Sequence, residues 1–152
     1  MQPIHATTVA CRVGDAQTGG GRASAWVGVL LTGPSGSGKS DLALRLIGEG
    51  WRLVADDYTQ VWASGGALWG AAPARIAGLI EARSLGIVPA PLTRSLARLG
   101  LVIACQQKTA ERAPEPETRT IAGHALPLFT LDTRPTTATA LVRLALEGAT
   151  GL

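Results

Sequence analysis

The segment Gly33-Pro34-Ser35-Gly36-Ser37-Gly38-Lys39-Ser40 has the residue types and spacing of a loop that wraps phosphate, G-x-x-x-x-G-K-[ST]. Such a loop turns backbone N–H groups inward, and glycines permit the dihedrals this requires. A helix opening at its end adds the positive pole of the helix dipole. Lys39 can then meet β- and γ-phosphate oxygens as a point charge, and the Ser40 hydroxyl can ligate a Mg²⁺ ion that bridges the same oxygens. The chain has only two lysines among its 14 basic residues, so the position of one of them here is informative.

A nucleotide site of this kind needs a carboxylate on a neighbouring strand. Arg52-Leu53-Val54-Ala55-Asp56-Asp57 reads as a strand that ends in two of them. At the C-terminal edge of a buried strand they face the crevice that the phosphate loop also faces. Neighbours on an extended strand point to opposite sides. The pair is therefore expected to divide its work, one carboxylate toward metal or its waters and the other taking a proton from a substrate hydroxyl. The competing reading is a plain turn into Tyr58.

The elements that must position these groups read as one α/β domain over residues 1–152. Ile4 to Arg12 reads as a strand, and Gly14 to Ser24, with three consecutive glycines, as a mobile loop. Trp26 to Thr32 is short and apolar, as a buried central strand is. Leu42, Ala43, Leu46 and Ile47 fall at helical spacing within Ser40 to Ile47, and Gly48 and Gly50 supply the stop. Thr59 to Ala63 and Ala67 to Ala71 read as a hairpin, Pro73 as the start of a short helix through Ala77, and Leu79 to Val88 as an interrupted apolar stretch. Leu99 to Cys105 is a second buried strand, Gln106 to Glu117 an exposed loop, and Arg119 to Ala122 and Leu126 to Leu131 short strands. Thr136 to Glu147 closes the chain as a helix between Pro135 and Gly148.

Composition narrows the functional classes. With 46% apolar and 16% charged residues the chain is not disordered overall. The apolar run Ala25 to Leu31 is far short of the ~18 residues a membrane span requires. The start MQPIHATTVA lacks the basic-then-apolar pattern of a secretory signal, and a cytoplasmic location is expected. Net charge is +3, but the arginines are scattered and the aromatics are not interleaved with them, so no nucleic-acid surface is expected. Cys11 and Cys105 have no metal-ligand spacing and read as buried thiols. His124 reads as a turn or surface residue, and Trp51, Trp62 and Trp69 as packing.

The string GPSGSGKSDLALRLIGEGWRLVADD resembles the core of the bacterial HPr kinase/phosphorylase family. Gly70-Ala71-Ala72-Pro73 followed by Leu79-Ile80-Glu81-Ala82-Arg83-Ser84-Leu85-Gly86-Ile87 is similar to that family's second signature. The resemblance runs well from Ile4 to Val88 and loosely beyond. It implies a P-loop nucleotide-binding domain with a mixed sheet, similar to phosphoenolpyruvate carboxykinase, in a short form without the family's N-terminal domain. It implies phosphorylation of a serine of the carrier protein HPr with ATP and Mg²⁺, the reverse phosphorolysis by inorganic phosphate with release of pyrophosphate, and assembly as a hexamer. Carried over residue by residue, Gly33 to Ser40 hold the nucleotide phosphates, Lys39 is catalytic and Ser40 is on Mg²⁺. Asp57 is the general base forward and the acid in reverse, with Asp56 beside it near the metal. Glu81 is a second Mg²⁺ ligand, Arg83 lies near the phosphates, and His5 matches a site histidine. His5 stands 28 residues before Gly33, further than the family pattern, so the Gly14–Ser24 loop must absorb the excess. Arg112 is the best match to a family arginine that handles phosphate. VPAPLTRSLARLG, after Ile87, lacks the glycine-rich continuation of longer members, which bears on phosphorolysis more than on kinase activity.

Two other classes stay open on the residues alone. A small-metabolite or nucleotide kinase would carry an arginine-rich lid, for which Gln106 to Arg119 is the candidate. A nucleotide-dependent switch would bind ATP and a partner without transfer, and would have no use for a base at Asp57.

Overall fold

The computed structural model describes residues 1–14, 25–110, 112 and 114–150. The expected loop and insertion at 13–24 falls, from residue 15 onward, outside the described residues. In chain order the elements are β1 (Gln2–His5), β2 (Thr7–Val13), β3 (Ala25–Thr32), α1 (Lys39–Gly48), β4 (Arg52–Ala55), β5 (Tyr58–Ser64) and β6 (Ala67–Ala71). A 3₁₀ turn (Ala74–Ile76) precedes β7 (Leu79–Ala82), β8 (Gly86–Pro89), β9 (Leu96–Gln106), β10 (Glu117–Ile121), β11 (His124–Asp132) and α2 (Ala138–Ala149).

One mixed sheet carries the order β1-β5-β6-β9-β3-β2-β4, with β11 beside β9 and β10 beside β11. β9 runs parallel to both β3 and β11. β7 and β8 pair as a separate hairpin. The strand expected over Ile4 to Arg12 is broken at Ala6, because its two halves take partners in different parts of the sheet. Residues 2–5 pair with β5, and residues 7–13 with β3 and β4. Consecutive β1 and β2 thus lie far apart in the strand order, and the sheet curls back on itself. Thr59 pins the bend, donating its hydroxyl to the Ala6 carbonyl at 2.9 Å and accepting that of Thr8 at 2.7 Å.

The curled sheet has two apolar sides. α1 and α2 pack Leu42, Leu46, Ile47, Val142 and Leu146 against Val29, Leu31, Leu101 and Ile103. Each large side chain buried this way contributes on the order of 1.5–3 kcal/mol. The other side holds Ile4, Leu30, Val61, Leu68, Leu99 and Val102. Leu99 fits there because β3 and β6 carry glycine beside it. A Cβ on Gly28 would stand 3.0 Å from Leu99, and one on Gly70 3.1 Å.

The expected thiol burial is observed for Cys11 and Cys105. Burial pushes Cys105 up to about 12 against the opposing pull of the Lys39 ammonium, and it raises Cys11 as well. Both thiols should resist alkylation at neutral pH in the folded protein and react once it is denatured. Rapid labelling of the native chain by a thiol reagent would contradict this. Among the described residues, no helix is long and apolar enough to cross a membrane.

Candidate active site

The Gly33–Ser40 loop leaves β3 at the C-terminal ends of three parallel strands, β3, β9 and β11. Its backbone takes positive φ at Gly33 (137°), Gly36 (84°) and Gly38 (92°). Two of these glycines are also required by space. A Cβ at Gly33 would lie 2.8 Å from the Cys105 carbonyl, and one at Gly38 2.5 Å from Thr133 Oγ1. Thr133, just past β11, donates its hydroxyl to the Ser37 carbonyl at 2.9 Å. Its own carbonyl accepts from the Arg45 guanidinium on α1. Next to it, hydrogen bonds from Arg134 hold the Asp132 carboxyl below the usual carboxylate range. The loop is thus fastened from β11 and α1 together. Gly38→Ala is expected to lose ~1–3 kcal/mol through backbone strain alone. Chemical denaturation against the wild type checks this, and an unchanged midpoint would contradict it.

Lys39 is buried at 7% exposure. Its ammonium donates to the carbonyls of Gly33 (2.5 Å) and Pro34 (3.0 Å). Ser37 Oγ is buried and has no hydrogen-bond partner among the described residues. An orphaned hydroxyl inside a glycine loop fits a site that takes an anion.

The two carboxylates do not sit on a strand. β4 ends at Ala55, and the alternation expected of Asp56 and Asp57 gives way to a tight turn. Tyr58 N–H donates to the Asp56 carbonyl at 2.7 Å, and Asp57 between them has φ 65°. An i→i+2 bond around a residue of positive φ is a γ-turn of the rare, strained kind. The side chains still part as expected. Asp56 turns inward to 6% exposure. Its Oδ1 accepts from Thr7 Oγ1 and Ser40 Oγ, each at 2.8 Å, and its Oδ2 from the Glu81 N–H at 2.9 Å. Asp57 turns outward, 63% exposed, with Oδ1 3.0 Å from His5 Nε2. The Tyr58 ring lies 5.3 Å from the His5 ring.

β7 brings Glu81 beside Asp56, and the tight turn to β8 carries Arg83, with Ser84 at φ 77°. A cavity of about 380 Å³ is lined by His5, Ser35, Gly36, Gly38, Lys39, Ser40, Asp57, Glu81 and Arg83, with Asp41 and Leu44 of α1. A second, of about 510 Å³, lies against Asp56, Asp57, Tyr58, Arg75, Glu81 and Ile87. Asp57 and Glu81 border both.

Most of the residues singled out from sequence thus converge. Arg112 does not; it is exposed and lines neither cavity. Arg119 lies within β10, paired with Leu126, which removes half of the proposed arginine lid. His124 opens β11 opposite Ile121. Sequence reasoning missed Thr7 and Thr133, which hold the aspartates and the loop. Nothing local marks either threonine, since each acts on a residue far along the chain.

Among the described residues, no group of three or more His, Cys, Asp or Glu side chains is arranged to hold a metal ion. The oxygen donors Ser40 and Glu81, on the same cavity, suit Mg²⁺ bound largely through phosphates, which uses few protein ligands. Asp56, expected beside the metal, lies directly behind this pair and accepts the Ser40 hydroxyl proton at 2.8 Å.

A family model described as HPr Serine kinase C-terminal domain matches residues 25–142. The HPr kinase/phosphorylase of Exiguobacterium sibiricum is 39% identical over 121 residues, covering 72% of this chain and 39% of that protein. That of Clostridium tetani is 40% identical over 87 residues, covering 53% of this chain and 28% of that protein. The matched stretches are thus well under half of these relatives' lengths. The solved HPr(Ser) kinase/phosphatase from Coxiella burnetii superposes with a TM-score of 0.71 at 25% identity, over 99% of this chain and 96% of that one. Its mixed, curled α/β fold is the one described above. With the matched model reaching from the first residue of β3 into α2, the chain belongs to the HPr serine kinase C-terminal domain family.

Proposed function

We propose that the chain is a P-loop kinase domain, related to phosphoenolpyruvate carboxykinase, that phosphorylates a serine of HPr and reverses the reaction with inorganic phosphate. The observation that carries this reading is that Lys39, Ser40, Glu81, His5 and Asp57 line one cavity, with Asp57 also facing a second. The first suits the nucleotide and the second the incoming serine.

In this reading the inward N–H groups of Gly33–Ser40, at the N-terminus of α1, receive the phosphates. Lys39 has three protons, and the Gly33 and Pro34 carbonyls take two of them. The third meets phosphate oxygen. Ser40 and Glu81 would hold Mg²⁺, which when bound would supply positive charge against the phosphates. Asp57 takes the proton as the serine oxygen bonds to the γ-phosphorus and the bond to the β-phosphate oxygen breaks. His5 holds the Asp57 carboxylate toward that proton. In reverse, a phosphate oxygen bonds to the phosphoserine phosphorus, the serine oxygen leaves with the Asp57 proton, and pyrophosphate departs. Arg83, at the rim, stabilises charge in both directions. Exposed Leu141 and Leu144 on α2 supply apolar surface for the hexamer that the same reading implies. The reaction belongs in the cytoplasm, where ATP and HPr meet.

Intact-mass spectrometry of HPr incubated with this chain and Mg-ATP tests the reading. One phosphoryl group should appear, and added phosphate should remove it as pyrophosphate accumulates. Bound ATP without any gain on HPr would overturn it.

A further inference from the structure

We infer that Thr7 is a positioning residue for the reaction, acting through both aspartates at once; this rests on the function proposed above. Thr7 is fully buried at 0% exposure, on the first residue of β2. A buried hydroxyl needs partners for its proton and for an oxygen lone pair. Its proton goes to Asp56 Oδ1 at 2.8 Å. Its oxygen accepts the Asp57 N–H at 3.3 Å. One hydroxyl therefore ties the carboxylate that orients Ser40 to the backbone of the proposed base.

The second bond matters because of the conformation it meets. Asp57 has φ 65°, in a region that costs a non-glycine residue ~1–3 kcal/mol and persists only where surroundings enforce it. Two residues before Thr7, His5 holds the Asp57 side chain at 3.0 Å. The bend at Ala6 thus places one clamp on the Asp57 side chain and another on its backbone. Without the Thr7 hydroxyl, the Asp57 amide loses its acceptor, and Asp56 Oδ1 keeps only the Ser40 donor.

The test uses Thr7→Val, which keeps the shape and removes the hydroxyl, and Thr7→Ser, which restores it. Losing an outer partner of a site group commonly costs ~10–100-fold in activity. Thr7→Val should therefore lower kcat by about that factor and speed amide exchange at Asp57 and Tyr58. Thr7→Ser should recover both. Wild-type kcat and exchange in Thr7→Val, or a loss confined to thermal stability, would overturn the inference. If Thr7→Val does not fold, Thr7→Ser decides: near wild-type kcat supports positioning by the hydroxyl, and a loss there assigns the role to the methyl group. If the wild type itself transfers no phosphate, the functional reading fails, while amide exchange still decides whether Thr7 holds Asp57.

Discussion

Asp57→Asn should lower the rate of phosphoryl transfer to serine by ~10²–10⁴-fold, the range that one positioned general base supplies. The amide keeps the size of the side chain and an oxygen for His5, now 3.0 Å from Asp57 Oδ1. It cannot take the serine proton. Asp57 is 63% exposed and bears no core packing, so the folded state should survive. Among the described residues the Asp57 side chain and amide bond to His5 and Thr7 and not to the Gly33–Ser40 loop, so nucleotide affinity should change little. Single-turnover transfer and nucleotide titration, run on the same preparation, separate the two effects. Retained transfer would remove Asp57 from its role, and a lost nucleotide site would show that it acts on the loop instead.

Lys39→Met should lower kcat by ~10²–10³-fold, the usual cost of deleting one preorganised charge donor at the reacting phosphate. Methionine retains the length of the buried stem at 7% exposure. It leaves the Gly33 and Pro34 carbonyls without the ammonium, at a cost of about 1 kcal/mol of stability. The kinetic loss is thus much larger than the structural one, and melting temperature beside kcat tells them apart. A kcat that falls only in proportion to the unfolded fraction would contradict the assignment. Lys39 also opposes the rise of the buried Cys105 thiol. Its removal should therefore make Cys105 still harder to ionise.

The loop was legible because its chemistry is local. Glycines at fixed spacing, a lysine and a serine carry their own dihedral and charge requirements, and β3 and α1 follow from apolar periodicity on either side. The pairing of β5 with β6 was legible for the same reason, with Gly65 and Gly66 at the turn, both at positive φ. What stayed hidden depends on distant parts of the chain. A run such as Ile4 to Arg12 gives no sign that its halves pair with different strands, so the bend at Ala6 was invisible. Asp56 and Asp57 read as a strand end because a γ-turn held by Thr7 has no sequence signature. Thr133 is one threonine among many until β11 brings it under Ser37, 96 residues away. Arg112 is the opposite case, chosen by loose resemblance and found exposed, outside the lining of both cavities.

In the proposed reaction, phosphate bound at Gly33–Ser40 is passed to a serine through Asp57. Fragmentation mass spectrometry of HPr, after incubation with Mg-ATP and either the wild-type chain or Asp57→Asn, tests it most directly. Phosphate on a single serine with the wild type, and next to none with the variant, is the predicted result. Phosphate on any other residue type, or equal modification by both chains, would contradict it.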